Sequence, residues 1–140
     1  SEWHLDIVGE GQEGNRIQRM IDKYKLNDRI TIHPFTNNIQ AYYSRAQVYI
    51  LSSRWEGMPL VLMEAMSHGL PVVSSDLPVC QEIMGDFGMY FRNEDVEDLS
   101  RRMGVATMIN WKEKSAEAMD IAKNFSTDSI IKQWKALIEE

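Results

Sequence analysis

Apolar residues along this chain follow two rhythms, and the rhythms alternate. Leu5, Ile7 and Val8 make a short apolar run that predicts a strand at 5–8, closed by Gly9-Glu10-Gly11. Ile17, Met20, Ile21 and Tyr24 fall at helical spacing and predict a helix over 16–26. Ile30-Thr31-Ile32 reads as a second strand, stopped by Pro34. A short helix is expected over 39–46. Val48-Tyr49-Ile50-Leu51 is apolar throughout, the pattern of a strand buried on both faces. Further strands are expected at Val72-Val73 and at Met89-Tyr90-Phe91. From Val96 on the spacing is helical, over 96–109, 111–124 and 128–138, with Ser126 or Thr127 as a cap for the last helix. Strands alternating with helices predict an α/β fold: a parallel, Rossmann-like sheet with helices on both faces, ending in helices. Ligands of such sheets bind beyond the carboxyl ends of the strands. The whole of 1–140 reads as one domain, with C-terminal helices from about residue 111.

The stretch 52–71, S-S-R-W-E-G-M-P-L-V-L-M-E-A-M-S-H-G-L-P, carries most of the candidate chemistry. Proline is favoured at the first helical position, and glycine followed by proline stops a helix. A helix is therefore predicted over 59–68, with Pro59 in its first position and Gly69 and Pro71 beyond its end. Its first turn leaves backbone N–H groups, at Leu60 and Val61 among others, at the positive end of the helix dipole. That end suits a phosphate. Gly57 lets a ligand approach the backbone closely, and Met58 lies between the two. Glu56 sits on the loop ahead of the helix. Glu64 sits within it among apolar neighbours, where a carboxylate is expected to be buried or at a cleft wall with a partner. A carboxylate accepts two hydrogen bonds and so suits a vicinal diol. The residues then read as sugar hydroxyls near Glu56, phosphate at the helix start and ribose hydroxyls at Glu64. The competing reading makes Glu64 the partner of a lysine or arginine and leaves Glu56 in solvent.

E-G-M-P-L-V-L-M-E-A-M-S-H-G-L-P-V-V-S-S resembles the signature of retaining, nucleotide-sugar-dependent glycosyltransferases of the family 4, group 1 class, which have two Rossmann-like domains in the GT-B architecture. L-D-I-V-G-E-G at 5–11 is similar to the family's strand and glycine turn. D-R-I-T-I-H-P-F at 28–35 matches the strand leading to its base-binding loop, and Y-Y-S-R-A-Q-V-Y-I-L-S-S at 42–53 the helix and strand before the glutamate motif. The resemblance implies the second, donor-binding domain of a GT-B fold, N-terminally truncated. It implies transfer of a sugar from a nucleotide-diphosphate sugar with retention, with Glu56 orienting the sugar and no metal or other cofactor. Donor contacts are implied at Gly57, Met58, Pro59, Leu60, Val61 and Glu64, at Phe35 and Thr36 of the base loop, and at Gly9 and Gly11. The family's earlier strand and helix, with a Gly-Arg and Lys-Gly pair that clamps the donor phosphates, and its acceptor domain are expected to lie outside this chain. The isolated chain is then expected to fold, to transfer nothing and to self-associate through an exposed sheet edge. The location implied is cytoplasmic, with the cytoplasmic face of the membrane as the variant.

Composition narrows the field. With 140 residues the chain can bury a core. Its net charge of -6 argues against a nucleic-acid groove, which needs a basic face. A single cysteine, Cys80, excludes an internal disulfide and a cysteine zinc cluster. His4, His33 and His68 have no ligand spacing and read as structural or solvated. Gly9-Glu10-Gly11-Gln12-Glu13-Gly14 fits G-x-G-x-x-G only formally, since no ribose-binding acid follows the next strand. Phe35 and Trp134 read as core, as does Trp111. Trp55 is expected beneath the glutamate loop. Arg54 reads as solvated or as a partial phosphate clamp, and Glu82 as structural. Two other functions compete: a GT-B nucleotide-sugar epimerase, and a non-catalytic nucleotide- or phosphate-binding module of flavodoxin-like kind.

Overall fold

The structure is a computed structural model and describes residues 3–139. It divides into two compact units, Ser1–Ile39 and Gln40–Glu140. The expected single sheet is accordingly two parallel sheets, one per unit.

In the first unit, β1 (Leu5–Val8) pairs in parallel with β2 (Ile30–His33), with Leu5 opposite Ile30 and Val8 opposite His33. Parallel strands need a crossover, and α1 (Gly14–Lys23) supplies it. Helix α1 starts two residues earlier than the spacing predicted, since Ile17 is its first apolar anchor but the amide of Ile17 already bonds the Glu13 carbonyl at 2.9 Å. Ile21 is buried. Gly9 has φ +141, which favours glycine, and its N–H donates to the His33 carbonyl at 3.0 Å, closing the ends of both strands together.

The second unit holds α2 (Gln40–Tyr43), β3 (Tyr49–Leu51), α3 (Leu60–Ser67), β4 (Val72–Ser75), α4 (Pro78–Met84), β5 (Met89–Phe91), α5 (Val96–Ala106), α6 (Trp111–Lys123) and α7 (Thr127–Ile138). Strand order is β3-β4-β5, all parallel, with Ile50 opposite Val73 and Val73 opposite Met89. Helices cover both faces. Leu51 and Val72 face α3, α4 and α6, where Leu62, Met66, Cys80, Ile83 and Ala118 complete the core. Val73 and Phe91 face the other way, onto Leu99 and Ala106 of α5 and Trp111. Full burial of Leu62, Met66 or Val72 contributes about 1.5–3 kcal/mol each.

One core expectation fails here: Trp134 is 63% exposed, on a helix, α7, that buries none of its residues. Its helicity rests instead on local signals, above all Ser126 Oγ, which accepts from the Ser129 amide at 3.3 Å. Trp111 does pack, and its Nε1 donates to the Ala106 carbonyl at 2.6 Å. Among the described residues no helix is long and apolar enough to cross a membrane.

Candidate functional site

The loop from β3 to α3 lies at the carboxyl end of the three-stranded sheet, as the alternation of elements requires. It carries Glu56, which is half-buried, and Ser53 Oγ donates to Glu56 Oε1 at 2.6 Å. So Glu56 is held rather than solvated. Gly57 and Met58 are exposed, and Trp55, expected to pack beneath the loop, is 83% exposed.

Pro59 does not occupy the first helical position. Its ψ of 78 is outside the helical range, and it forms the N-cap of α3 with its ring fully buried. This shift has a chemical consequence. The Leu60 N–H turns back to the Met58 carbonyl at 2.9 Å and is not open to a ligand. The Val61 N–H makes no hydrogen bond among the described residues and remains at the positive end of the helix. Leu60 and Val61 both expose their side chains.

Glu64 is exposed on α3, not buried. The face of α3 that enters the core is Leu62, Ala65 and Met66, and Glu64 falls just off it. Its partner is neither lysine nor arginine: the buried Tyr43 hydroxyl donates to Glu64 Oε2 at 3.3 Å. Burial, then the Glu64 charge and this hydrogen bond push the Tyr43 hydroxyl up to about 12, so it remains a donor through the ordinary pH range. Burial, with added repulsion from Tyr43, Glu56 and Glu64, also raises the Tyr49 hydroxyl. His68, at the C-cap of α3, lies 5.2 Å from the Tyr43 ring, with Nδ1 3.0 Å from the Glu64 carbonyl oxygen. Its ring is exposed.

Arg54 is exposed, as the solvated reading expects, and its Nε pairs with Glu94 Oε1 at 3.2 Å on the surface. Glu82 is exposed on α4.

In the first unit, a cavity of about 400 Å³ is lined by the Gly9-Glu10-Gly11 turn, Gly14, Asn15 and Gln18 of α1, and Ile32, His33 and Pro34. Gly9 and Gly11 both line this open depression. Phe35, read as core, is 68% exposed, and Thr36 Oγ1 accepts from the Asn38 amide at 3.1 Å. His33 is fixed by Asp6 at 2.7 Å and His4 by Thr31 Oγ1 at 2.9 Å. Sequence reasoning missed the roles of Ser53 and Tyr43. Ser53 lies three residues before Glu56, a spacing that reads as a local turn bond, but Tyr43 joins Glu64 only through the fold.

Known proteins give this geometry a family. A model of the glycosyl transferases group 1 matches residues 1–124. An uncharacterised glycosyltransferase of Haemophilus influenzae is 28% identical over 98% of this chain and 40% of its own length. The UDP-N-acetylglucosamine–peptide N-acetylglucosaminyltransferase GtfA subunit of Streptococcus pneumoniae is 30% identical over 97% of this chain and 29% of its own length. The crystal structure of a glycosyltransferase from Rickettsia africae matches with a TM-score of 0.87 at 18% identity, over 97% of this chain and 39% of that one, a likeness of fold. The chain thus spans well under half the length of these relatives. With its parallel sheets, its glutamate loop and its match over most of the sequence, the chain belongs to the glycosyl transferases group 1.

Proposed function

We propose that this chain is the donor-binding part of an enzyme that moves a sugar from a nucleotide-diphosphate sugar to an acceptor with retention of configuration. The observation that carries this reading is the arrangement around α3. A held carboxylate, Glu56, stands just before the helix, an open amide, Val61, lies in its first turn, and an exposed carboxylate, Glu64, lies one turn on. Sugar hydroxyls, diphosphate and ribose hydroxyls call for these groups in this order.

Glu56 orients the sugar by accepting from its hydroxyls, since one of its oxygens is already committed to Ser53 and holds the carboxylate in place. The Val61 amide meets the charge that develops on the departing diphosphate. Gly57 and Met58 leave the approach to that amide open, and Pro59 fixes the entry to the helix. Glu64, steadied by Tyr43, accepts from the ribose diol. Gly9, Gly11, Phe35 and Thr36 of the first unit are assigned as further donor contacts on the family resemblance, and no metal is required. The chain by itself is expected to bind nucleotide weakly and to transfer nothing, because it spans under half of its relatives.

The test assays the intact protein that carries this chain against a panel of UDP-, GDP-, ADP- and dTDP-sugars, with and without EDTA. Release of nucleotide coupled to transfer, unchanged by EDTA and with the anomeric configuration kept, supports the reading. Epimerised nucleotide sugar, or nucleotide binding without transfer, overturns it in favour of the epimerase or the binding module.

A further inference from the structure

The loop that carries Glu56 is held at two successive backbone carbonyls by side chains from the end of β4 and from the turn after β5. Ser75, fully buried at the end of β4, donates from Oγ to the Ser53 carbonyl at 2.7 Å. Asn93, just beyond β5, donates from Nδ2 to the Arg54 carbonyl at 2.8 Å. Asn93 is itself seated: its backbone N–H donates to Asp76 Oδ1 at 2.8 Å, and the Asp76 N–H donates to the Phe91 carbonyl at 2.9 Å. The next residue, Glu94, holds the Arg54 guanidinium at 3.2 Å. Glu94 has φ +62, a left-handed conformation unusual for a non-glycine residue. Such an outlier persists only where its surroundings fix it, and it points to a task for the turn.

We infer that the Asn93–Glu94 turn, seated by Asp76, is a positioning clasp for Glu56. This rests on the reading of Glu56 as the group that orients the donor sugar. The clasp reaches Glu56 through the chain: it fixes Arg54, whose neighbour Ser53 is fixed by Ser75 and donates to Glu56 at 2.6 Å. A carboxylate that must meet sugar hydroxyls tolerates little displacement, since catalysis is steeply sensitive to misplacement of about 1 Å. None of Asp76, Asn93 and Glu94 needs to touch the donor.

Two measurements test the clasp. In the chain itself, backbone order parameters by nitrogen relaxation should fall at Arg54–Gly57 in Asn93→Ala and in Glu94→Asn, and stay at wild-type values in Glu82→Ala. Glu94→Asn removes the Arg54 partner while tolerating the left-handed backbone, so it carries the test where Asn93→Ala fails to fold. Unchanged order at Arg54–Gly57 in the folded variants overturns the clasp, whatever the activity. In the intact protein, with the best donor of the UDP-, GDP-, ADP- and dTDP-sugar panel, Asn93→Ala should lower kcat about tenfold or more and leave the donor KM within about twofold. Combined with Glu56→Gln it should cost little beyond Glu56→Gln alone, because both act through one carboxylate. Fully multiplicative losses overturn the clasp. Full kcat in Glu56→Gln alone overturns instead the role given to Glu56, while the order parameters still decide whether the loop is held.

Discussion

The Tyr43 hydroxyl donates to Glu64 Oε2 at 3.3 Å, joining the end of α2 to the middle of α3. The other oxygen, Oε1, makes no hydrogen bond among the described residues. The bond therefore leaves Glu64 half committed, with one oxygen steadied by a buried phenol and the other open to accept a hydrogen bond. Glu64→Ala should weaken nucleotide binding by about 1.5–3 kcal/mol, the range for a hydrogen bond to a charged group. Tyr43→Phe should weaken it less, because the acceptor survives and only its positioning is lost. Neither should unfold the unit, since Glu64 is exposed. Calorimetric titration with UDP and GDP checks this, alongside urea midpoints. Unfolding of Glu64→Ala would make the residue a structural partner of Tyr43 and nothing more.

On the proposed reading, Glu56 acts in turnover and not in nucleotide binding. Glu56→Gln keeps the shape and one carbonyl acceptor for Ser53 Oγ, at present 2.6 Å away, but removes the charge. Nucleotide product binding should stay nearly unchanged, while kcat of the intact protein falls by at least tenfold. Equal rates in variant and wild type would remove Glu56 from the mechanism.

The alkaline limb of stability should report Tyr43. Its folded pKa is raised to about 12 from an ordinary 10.0. A raised value means that the folded state holds its proton longer than the unfolded one. The contribution is complete below pH 10.0 and is lost as pH rises through about 12. Tyr90, raised to about 12 chiefly by burial, acts in the same sense. Tyr43→Phe should flatten the fall in the urea midpoint above pH 10.0, and phenolate absorbance should show the missing late titration.

The acid limb should report Asp98. The Arg92 amide donates to Asp98 Oδ2 at 2.8 Å, and Arg101 and Arg102 lie nearby, so its carboxyl is held below 3.8. The folded state then binds the proton less readily than the unfolded one. The stabilisation is present above pH 3.8 and disappears as pH falls through the lowered value. Asp98→Asn, which keeps a carbonyl acceptor for the Arg92 amide but not the charge, should lower the midpoint above pH 3.8, flatten the acid limb and converge with wild type as pH falls through the lowered value.

Apart from α4 (Pro78–Met84), which the spacing did not announce, the order of strands and helices was legible because each buried strand is an apolar run and most helices are punctuated. Leu60–Ser67 was nearly complete in Pro59, Gly69 and Pro71 alone. Three things were not legible. Pro59 fits both the N-cap and the first helical position, and only its ψ of 78 decides between them. Glu64 lies among Met63, Ala65 and Met66 in sequence, yet a helix turns it to a different side, so linear neighbours misreport burial. The apolar residues of α7, Ile131, Trp134 and Leu137 among them, have the spacing of a core stripe and remain exposed, because periodicity gives a face but not what covers it.

Gly69 should be the least replaceable glycine of the unit that holds the glutamates. It follows the C-cap of α3 with φ +74, a conformation that costs an L-residue about 1–2 kcal/mol. Its N–H donates to the Met66 carbonyl at 2.9 Å, and the Leu70 N–H reaches back to Ala65 at 3.1 Å. These paired bonds end the helix and send the chain into β4. A Cβ at this position would also collide with Ser115 Oγ of α6. Overpacking of that kind costs about 1–3 kcal/mol, so Gly69→Ala should lose about 2–5 kcal/mol in total by urea denaturation. The two contributions are separable. Ser115→Ala in the Gly69→Ala background removes the hydroxyl but not the backbone strain, and should restore only the steric part. Full recovery would mean that the turn tolerates a side chain and that α3 is stopped by Pro71 alone. No recovery would mean that Ser115 simply moves aside, leaving the left-handed backbone as the whole reason for glycine.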